Sequence, residues 1–189
     1  MSNNKSHNAV RAMIEGAVMV AVAEILGTFP KLWRMPQGGS VTLMMVPIVI
    51  YALRWGLGNG LLAGLAFGIL DFMLNGGFAI GWQSILGDYV AALTALGLAG
   101  IGHKKGFPGI LIGSIAGCLG RFISLWVTGA TLWGEYMHDI YGMHMTNEFV
   151  YSFFYNLPPL IAGVLTVLLC VVLYNIKPTQ KYMLGQDIA

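Results

Sequence analysis

The stretch IGWQSILGDYVAALTALGLAGI, residues Ile80–Ile101, contains a single charged side chain, Asp88. An apolar run of this length predicts a helix that crosses a membrane. A carboxylate in the middle of such a helix has lost most of its water, which costs several kcal/mol unless another group pairs with it. Ionisable side chains at this depth indicate function by default, so Asp88 is the first candidate for a binding site.

The residues around Asp88 leave two interpretations open. Tyr89 follows it, and aromatic residues cluster at the ends of the neighbouring apolar segments. This arrangement favours a pocket for a cationic or strongly hydrogen-bonding small molecule. In the alternative, Asp88 holds helices together through an ion pair with Arg121, which also lies in an apolar run.

The composition of the whole chain is that of a membrane protein. Of its 189 residues, 57% are hydrophobic and 10% are charged, whereas about 25% of the residues in soluble domains are charged. Apolar stretches occur at Val10–Phe29, Val41–Leu53, Leu57–Leu74, Ile80–Ile101, Gly109–Trp133 and Phe149–Ile176. They predict an all-α membrane protein with six transmembrane helices. Residues 1–189 are expected to form one transmembrane domain, with residues 1–8 and 178–189 as cytoplasmic tails.

Two of the six stretches depart from a plain membrane span. Val41–Leu53, with 13 residues, is short, as expected of a tilted or half-buried helix that closes over a site. Val10–Phe29 carries Glu15 and Glu24, so the faces bearing these carboxylates are expected to turn inward or toward the membrane surface.

The basic residues predict the orientation in the membrane. With an even number of spans both termini lie on one side, and that side carries Lys5, Arg11, Arg54, Lys104, Lys105, Lys177 and Lys181. The opposite side carries Lys31 and Arg34 together with the acidic residues Glu135, Asp139 and Glu148. The positive-inside rule therefore predicts that both termini are cytoplasmic.

Few other residues are candidates for a catalytic, metal-binding or ligand-binding role. Cys118 and Cys170 lie inside predicted spans without CxxC spacing, His103 is expected to be solvated, and His138 and His144 are weaker candidates for touching a ligand. Walker A, GxSxG and HExxH sequences are absent. The sequence therefore predicts no enzyme, no cofactor and no metal site. A net charge of +2 is too small and too dispersed for a nucleic-acid partner.

Small residues recur at helical spacing in two predicted spans. Glycines fall every four residues along one face at Gly56, Gly60, Gly64 and Gly68. This spacing lets helices approach closely, and internal packing is the expected role. Ala17 and Ala21 form a second small pair on the first span, for which a contact with another protein stays open.

The first outer connection, Phe29–Ser40, has the most distinctive local sequence. Pro30, Pro36 and the pair Gly38–Gly39 exclude a continuous helix there. The two glycines allow the backbone to approach a ligand or another segment. Trp33 fits two roles equally well, an anchor at the membrane interface or a lid stacked over a bound ring.

Three blocks of this sequence resemble the thiamin-specific S-components of energy-coupling factor transporters. The blocks are Met35–Val41 with Val46–Ile48 and Leu53–Gly56; Asp88-Tyr89 with the small and apolar residues 91–100; and Trp133 through Tyr151-Ser152 to Asn156. They occur in the family's order and spacing, and the resemblance covers nearly the whole chain.

The resemblance implies a fold and a site. S-components of this type have six helices and an outward-facing pocket that the first loop closes. In thiamin-specific members an acidic residue followed by tyrosine meets the ligand from the fourth helix, an aromatic residue stacks on it, and polar residues of the sixth helix complete the pocket. The implied substrate-binding residues here are Asp88, Tyr89, Trp133, Tyr151, Asn156, Trp33, Gln37, Gly38 and Gly39.

The resemblance also implies partners. Ala17 and Ala21 fall where S-components carry an alanine motif that docks on the energy-coupling module, which consists of a transmembrane subunit and two ATPases. The chain is then a multi-pass protein of the cell membrane, surrounded by lipid, that binds a vitamin and has no ATPase of its own.

One departure from the family pattern concerns the ligand. Four residues after Arg121, similar thiamin binders carry a histidine, whereas this chain has Leu125. Hydroxymethylpyrimidine and a pyridoxine-type vitamin therefore compete with thiamin as the expected ligand. A stand-alone intramembrane enzyme or scaffold is the alternative from another class, although Asp71 on the third span has no evident partner in the sequence.

Overall fold

The computed structural model describes residues 2–29, 32–34, 40–74 and 78–188. Its regular structure is almost entirely helical. The helices are α1 (Ser2–Thr28), α2 (Met45–Trp55), α3 (Leu57–Leu74), α4 (Trp82–Gly102), α5 (Gly106–Leu132), α6 (Glu148–Tyr155), α7 (Leu157–Tyr174) and α8 (Lys177–Met183). Two short antiparallel strands, β1 (Trp33–Arg34) and β2 (Ser40–Val41), pair with Trp33 opposite Val41.

Four helices in the described part of the chain are long and apolar enough to cross a membrane, namely α3, α4, α5 and α7. The prediction of a helical membrane protein is therefore confirmed. Helix α1 has 27 residues but carries Arg11, Glu15 and Glu24, and α2 has only 11 residues, fewer than a full crossing needs.

The last predicted span is interrupted. Phe149–Ile176 was expected to be one helix, but it contains α6 and α7, which meet at Asn156 with ψ near 14°. The cause is the pair Pro158–Pro159, since proline lacks an N–H donor and its ring disfavours helical geometry in the residue before it.

Close backbone contact joins α3, α4 and α5. A side chain added at Gly64 of α3 would come within 2.5 Å of the Leu93 carbonyl oxygen. One added at Gly68 would come within 2.6 Å of the Tyr89 carbonyl oxygen, and both of these oxygens belong to α4. A side chain added at Gly117 of α5 would lie 2.7 Å from the carbonyl oxygen of a buried α4 leucine, Leu96. The glycine spacing thus serves internal packing, as expected from the sequence.

A buried cluster of charges joins α1, α2 and the C-terminal residues. Arg54 is fully buried and donates to Glu15 Oε2 (2.6 Å), Asp187 Oδ1 (2.6 Å) and the Tyr182 carbonyl oxygen (2.7 Å). Its guanidinium carbon also lies 4.0 Å from the centroid of the Tyr182 ring. Arg11 of α1 pairs with both carboxylates. A buried cation is tolerated because its charge and donors are satisfied.

Glu15 thus turns inward, as the sequence predicted for this stretch. Residues 178–189, expected to be a tail, include most of α8, and Met183 is fully buried against the bundle. His103, expected to be solvated, is instead half-buried, with Nδ1 2.9 Å from the Leu53 carbonyl oxygen. The α4–α5 turn, Arg54 and the C-terminal residues therefore lie at the same end of the bundle.

Replacing Gly64 by alanine tests the backbone contact. The new methyl group would meet the main chain of α4, which cannot yield as a side chain can, so we expect a loss of about 1–3 kcal/mol. Thermal unfolding in detergent measures it. The matched control is Gly58→Ala on the same helix, where no atom lies within 4 Å, and its midpoint should stay unchanged. Equal midpoints for the two variants would contradict close α3–α4 packing.

Replacing Asp187 by asparagine tests the charge cluster. Hydrogen bonds from Arg54 and Arg11 hold the pKa of Asp187 well below its usual range. The stabilisation from its carboxylate is therefore fully present above the unfolded-state pKa of about 3.9, and is lost as the pH falls through the folded-state value. Because Asp187 is partly exposed, we expect a loss of only about 1 kcal/mol at neutral pH.

That loss corresponds to a fall of roughly 2–4 °C in the thermal midpoint for a chain of this size. The difference between wild type and Asp187→Asn should persist down to about pH 4 and shrink below it. Asp139→Asn, at an exposed carboxylate, is the control. A difference that grows in acid would rule out the proposed contribution of the Asp187 carboxylate.

Candidate functional site

The site is built on an irregular part of α4. Residues Ile85–Ala91 form a wide π-helical turn, a local geometry that recurs at functional sites because the extra residue re-aims side chains. Helix α5 holds this turn in place, since Ser124 Oγ donates to the Gly87 carbonyl oxygen (2.9 Å) and Gly87 lies directly against Thr128. Asp88 and Tyr89 project from this turn.

The Asp88 carboxylate is partly buried and has two neutral donors. Ser84 Oγ donates to Asp88 Oδ2 at 3.0 Å, and Trp133 Nε1 at the end of α5 donates to the same oxygen at 2.9 Å. Within the described residues, Oδ1 receives no hydrogen bond and Asp88 has no cationic partner. The carboxylate is therefore oriented but not neutralised.

Aromatic rings surround the Asp88 carboxylate. Trp133 stacks on Phe78 with centroids 5.3 Å apart, and Tyr136 lies against the other end of Trp133 at 5.9 Å. Tyr89 donates to the Phe78 carbonyl oxygen (3.4 Å) and meets Phe72 edge to face at 5.2 Å. These rings join α3, α4 and α5 in one aromatic wall beside an anion, the arrangement expected of a site for a cationic ring.

Arg121 does not pair with Asp88 in the part of the chain that the structure describes. Its Nη1 donates to Met45 Sδ at 3.3 Å, and the acidic charge that acts on it is that of Asp71 on α3. Asp71 also acts electrostatically on Tyr89. The interpretation of Asp88 as a packing residue tied to Arg121 was therefore wrong, and Asp71 has partners that the sequence did not reveal.

Tyr151 and Asn156 are both buried but diverge. Tyr151 turns toward the segment that precedes α6, with its hydroxyl 3.2 Å from His138 Nδ1. Asn156 Nδ2 donates to the carbonyl oxygens of Ser152 (2.9 Å) and Leu125 (3.4 Å), and so ties α6 to α5. Neither side chain faces lipid. A role in binding stays a prediction for both.

Residues 13–183 match the thiamine transporter protein family (Thia_YuaJ). The chain belongs to this family. The thiamine transporter ThiT of Bacillus subtilis strain 168 is 32% identical over 166 residues, which are 81% of this chain and 83% of that protein. ThiT of Lacticaseibacillus paracasei is 28% identical over an alignment of 197 positions, gaps included, that covers 92% of both chains.

A solved structure of ThiT from Listeria monocytogenes has the same fold, with a TM-score of 0.72 over 96% of this chain and 98% of that one at 19% identity. The resemblance seen in the sequence is thus confirmed. Members of the thiamine transporter family are transporters of the membrane rather than enzymes, which excludes the alternative of a stand-alone intramembrane enzyme or scaffold.

The first outer connection of this family member is described only in part. Gln37, Gly38 and Gly39, predicted to approach the ligand, lie outside the described residues, as does the side chain of Trp33. The backbone of Trp33 pairs with Val41 in the short hairpin that leads into α2.

The predicted coupling residues lie on the outer face of α1. Ala17 and Ala21 are exposed. The opposite face packs on α2, where Tyr51 donates to the Ala12 carbonyl oxygen (2.9 Å) and lies directly against Gly16. Ala17 and Ala21 are therefore available for contact with another helix.

Several residues of the site escaped the sequence analysis, among them Ser84, Phe78 and Tyr155. Ser84 lies four residues before Asp88, and this helical spacing could have indicated the hydrogen bond. No sequence pattern indicated Phe78 or Tyr155. The tertiary fold alone brings Phe78 onto Trp133 and Tyr155 within the electrostatic influence of Asp88. Among the described residues, no cluster of three or more His, Cys, Asp or Glu side chains could hold a metal ion.

Proposed function

We propose that this chain is the substrate-capture subunit of an energy-coupling factor importer and binds thiamin at Asp88. The observation that supports the proposal most strongly is the state of this carboxylate. It lies in a membrane helix among aromatic rings, with Ser84 and Trp133 as neutral donors and no cation beside it in the described residues. A ligand that brings a positive charge would supply what the site lacks.

This chemistry favours thiamin over the two alternatives. Thiamin carries a permanently cationic thiazolium ring in addition to its aminopyrimidine ring, whereas hydroxymethylpyrimidine is neutral and a pyridoxine-type vitamin has no such fixed charge. The two similar proteins from Bacillus subtilis and Lacticaseibacillus paracasei are thiamine transporters, which supports the same ligand. This chain has Leu125 at the position where similar proteins carry a histidine. It therefore lacks one hydrogen-bonding ring but keeps the Asp88 carboxylate.

We further propose that α1 and α2 complete a set of six spans with both termini in the cytoplasm. Arg11, Arg54 and Asp187 meet at one end of the bundle, and the turn that carries Lys104 and Lys105 lies at the same end. The positive-inside rule assigns such an end to the cytoplasm. The site around Asp88 and Trp133 then faces the outer side.

Uptake needs an energy source that this chain lacks, because its sequence has no nucleotide-binding motif. We propose that a module of a transmembrane subunit and two ATPases supplies it by docking on α1. The small residues Ala17 and Ala21 lie four apart, so they share one exposed face on which another helix can pack closely.

Replacing Asp88 by asparagine tests the ligand site. The variant keeps the shape of the side chain but removes its charge, and charge-assisted hydrogen bonds are stronger than neutral ones. We expect thiamin binding to weaken at least about tenfold, or about 1.4 kcal/mol, as measured by calorimetry on the purified protein. Unchanged affinity would remove Asp88 from the site.

Two comparisons sharpen this test. Asp139→Asn, at an exposed carboxylate between α5 and α6, should bind thiamin like the wild type. Binding of neutral hydroxymethylpyrimidine should depend less on the Asp88 charge than binding of thiamin. Native mass spectrometry of the purified protein identifies any ligand that it retains, and retention of a neutral vitamin would refute the preference for a cation.

The double variant Ala17→Trp with Ala21→Trp tests the docking face. The two large side chains should block close approach of a partner helix while leaving the distant site intact. We expect normal thiamin binding by the isolated subunit and loss of uptake in cells that supply the energy-coupling module.

The matched control for the double variant is Ala66→Trp, an exposed small residue on α3, which should transport normally. Normal uptake by the double variant would show that this face of α1 does not dock. Loss of thiamin binding together with uptake would show that Ala17 and Ala21 serve internal packing instead.

A further inference from the structure

Residues 134–147, called the outer segment here, pack on α6. Ile140 is fully buried and Met145 nearly so, and both pack with Tyr151 in a small apolar cluster. Ile140 and Met143 exchange two backbone hydrogen bonds, of 3.2 and 2.9 Å, around a tight turn. Gly142 takes the positive φ that this turn requires. The outer segment is therefore anchored on α6 by two buried side chains, Ile140 and Met145.

One polar side chain of the outer segment reaches the buried Tyr151. His138 Nδ1 lies 3.2 Å from the Tyr151 hydroxyl and 3.2 Å from the Tyr136 carbonyl oxygen, and the rings of His138 and Tyr151 meet edge to face at 5.4 Å. A buried tyrosine hydroxyl needs a partner, and His138 provides it.

Tyr151 in turn is linked to Asp88 through the neighbouring ring of Tyr155. Its ring contacts that of Tyr155 at 5.8 Å, and the charge of Asp88 acts on the Tyr155 hydroxyl. The same outer segment touches the site a second time, where Tyr136 packs on Trp133. The outer segment thus contacts Trp133 through Tyr136 and Tyr151 through His138.

We infer that His138 is a positioning residue for ligand binding, acting through Tyr151. The Tyr136 carbonyl oxygen can only accept a hydrogen bond, which favours the tautomer of His138 with its proton on Nδ1. In that tautomer His138 shares its single Nδ1 proton between the Tyr136 carbonyl oxygen and the Tyr151 hydroxyl, and the hydroxyl keeps its own proton for donation to a ligand. His138 thereby fixes both the ring and the donor direction of Tyr151. This inference rests on the proposed binding of thiamin beside Asp88.

A double-mutant cycle on thiamin affinity tests the link between His138 and Tyr151. His138→Phe keeps an aromatic ring but removes the hydrogen bond, and Tyr151→Phe removes the hydroxyl. Each should weaken thiamin binding by about five- to tenfold. The double variant should bind no more weakly than Tyr151→Phe alone, because His138 acts only through that hydroxyl.

Two further variants separate positioning from packing. His138→Asn places an amide near the position of Nδ1 and should restore affinity to within about twofold of wild type, since one hydrogen bond is regained. His144→Phe replaces the other histidine of the outer segment, which pairs with Asp139, and should bind thiamin normally. A loss in His144→Phe equal to that in His138→Phe would assign the effect to general damage of the segment and overturn the inference.

The remaining outcomes distinguish this inference from the proposed function. Multiplicative losses in the double variant, or full affinity in either single variant, would overturn the role of His138 while thiamin binding that depends on Asp88 still stands. A wild-type protein that binds no thiamin would overturn the proposed function, and this inference with it.

Discussion

The contact of three helices through their backbones is the constraint on which the rest of the structure depends. Gly64 and Gly68 of α3 and Gly117 of α5 leave no room for a side chain between these helices and α4. Lipid provides no hydrophobic force that drives helices together, so small residues at the interface let dispersion and backbone contacts hold them. Because α4 packs closely on α3 and on α5, the position of its wide turn at Ile85–Ala91 is set by both helices.

Two charged residues inside the bundle have opposite environments. Arg54 is fully buried and is matched by the carboxylates of Glu15 and Asp187, so its charge contributes to joining α1, α2 and the C-terminal residues. Asp88 has only the neutral donors Ser84 and Trp133 in the described structure. A satisfied ion cluster fixes geometry, whereas an oriented carboxylate without a countercharge is suited to bind a cation. The protein itself offsets the cost of the buried charge at Arg54, whereas at Asp88 we propose that a cationic ligand offsets it.

The sequence predicted the regular parts of the fold because each rests on local pattern. Apolar length indicated the spans, four-residue spacing indicated the glycine contacts, and an isolated carboxylate indicated Asp88. The sequence did not predict contacts between residues that lie far apart in the chain. Nothing local to Arg54 shows that Asp187 lies beside it, and nothing local to Asp88 distinguishes Trp133 from Arg121 as its neighbour. The break at Asn156 was foreseeable from Pro158–Pro159, but the length of the apolar run concealed it.

The sequence by itself determined that this chain is a helical membrane protein of the thiamine transporter family, and it predicted Asp88 and Tyr89 as candidate ligand residues, because composition, spacing and motif are properties of the chain alone. Only the tertiary structure decided which groups meet at the site. The hydrogen bond from Trp133 to Asp88 and the link from His138 to Tyr151 span 45 and 13 residues of sequence. The first pair forms only once the glycine contacts have fixed α4 against α5, and the second only once residues 134–147 pack on α6.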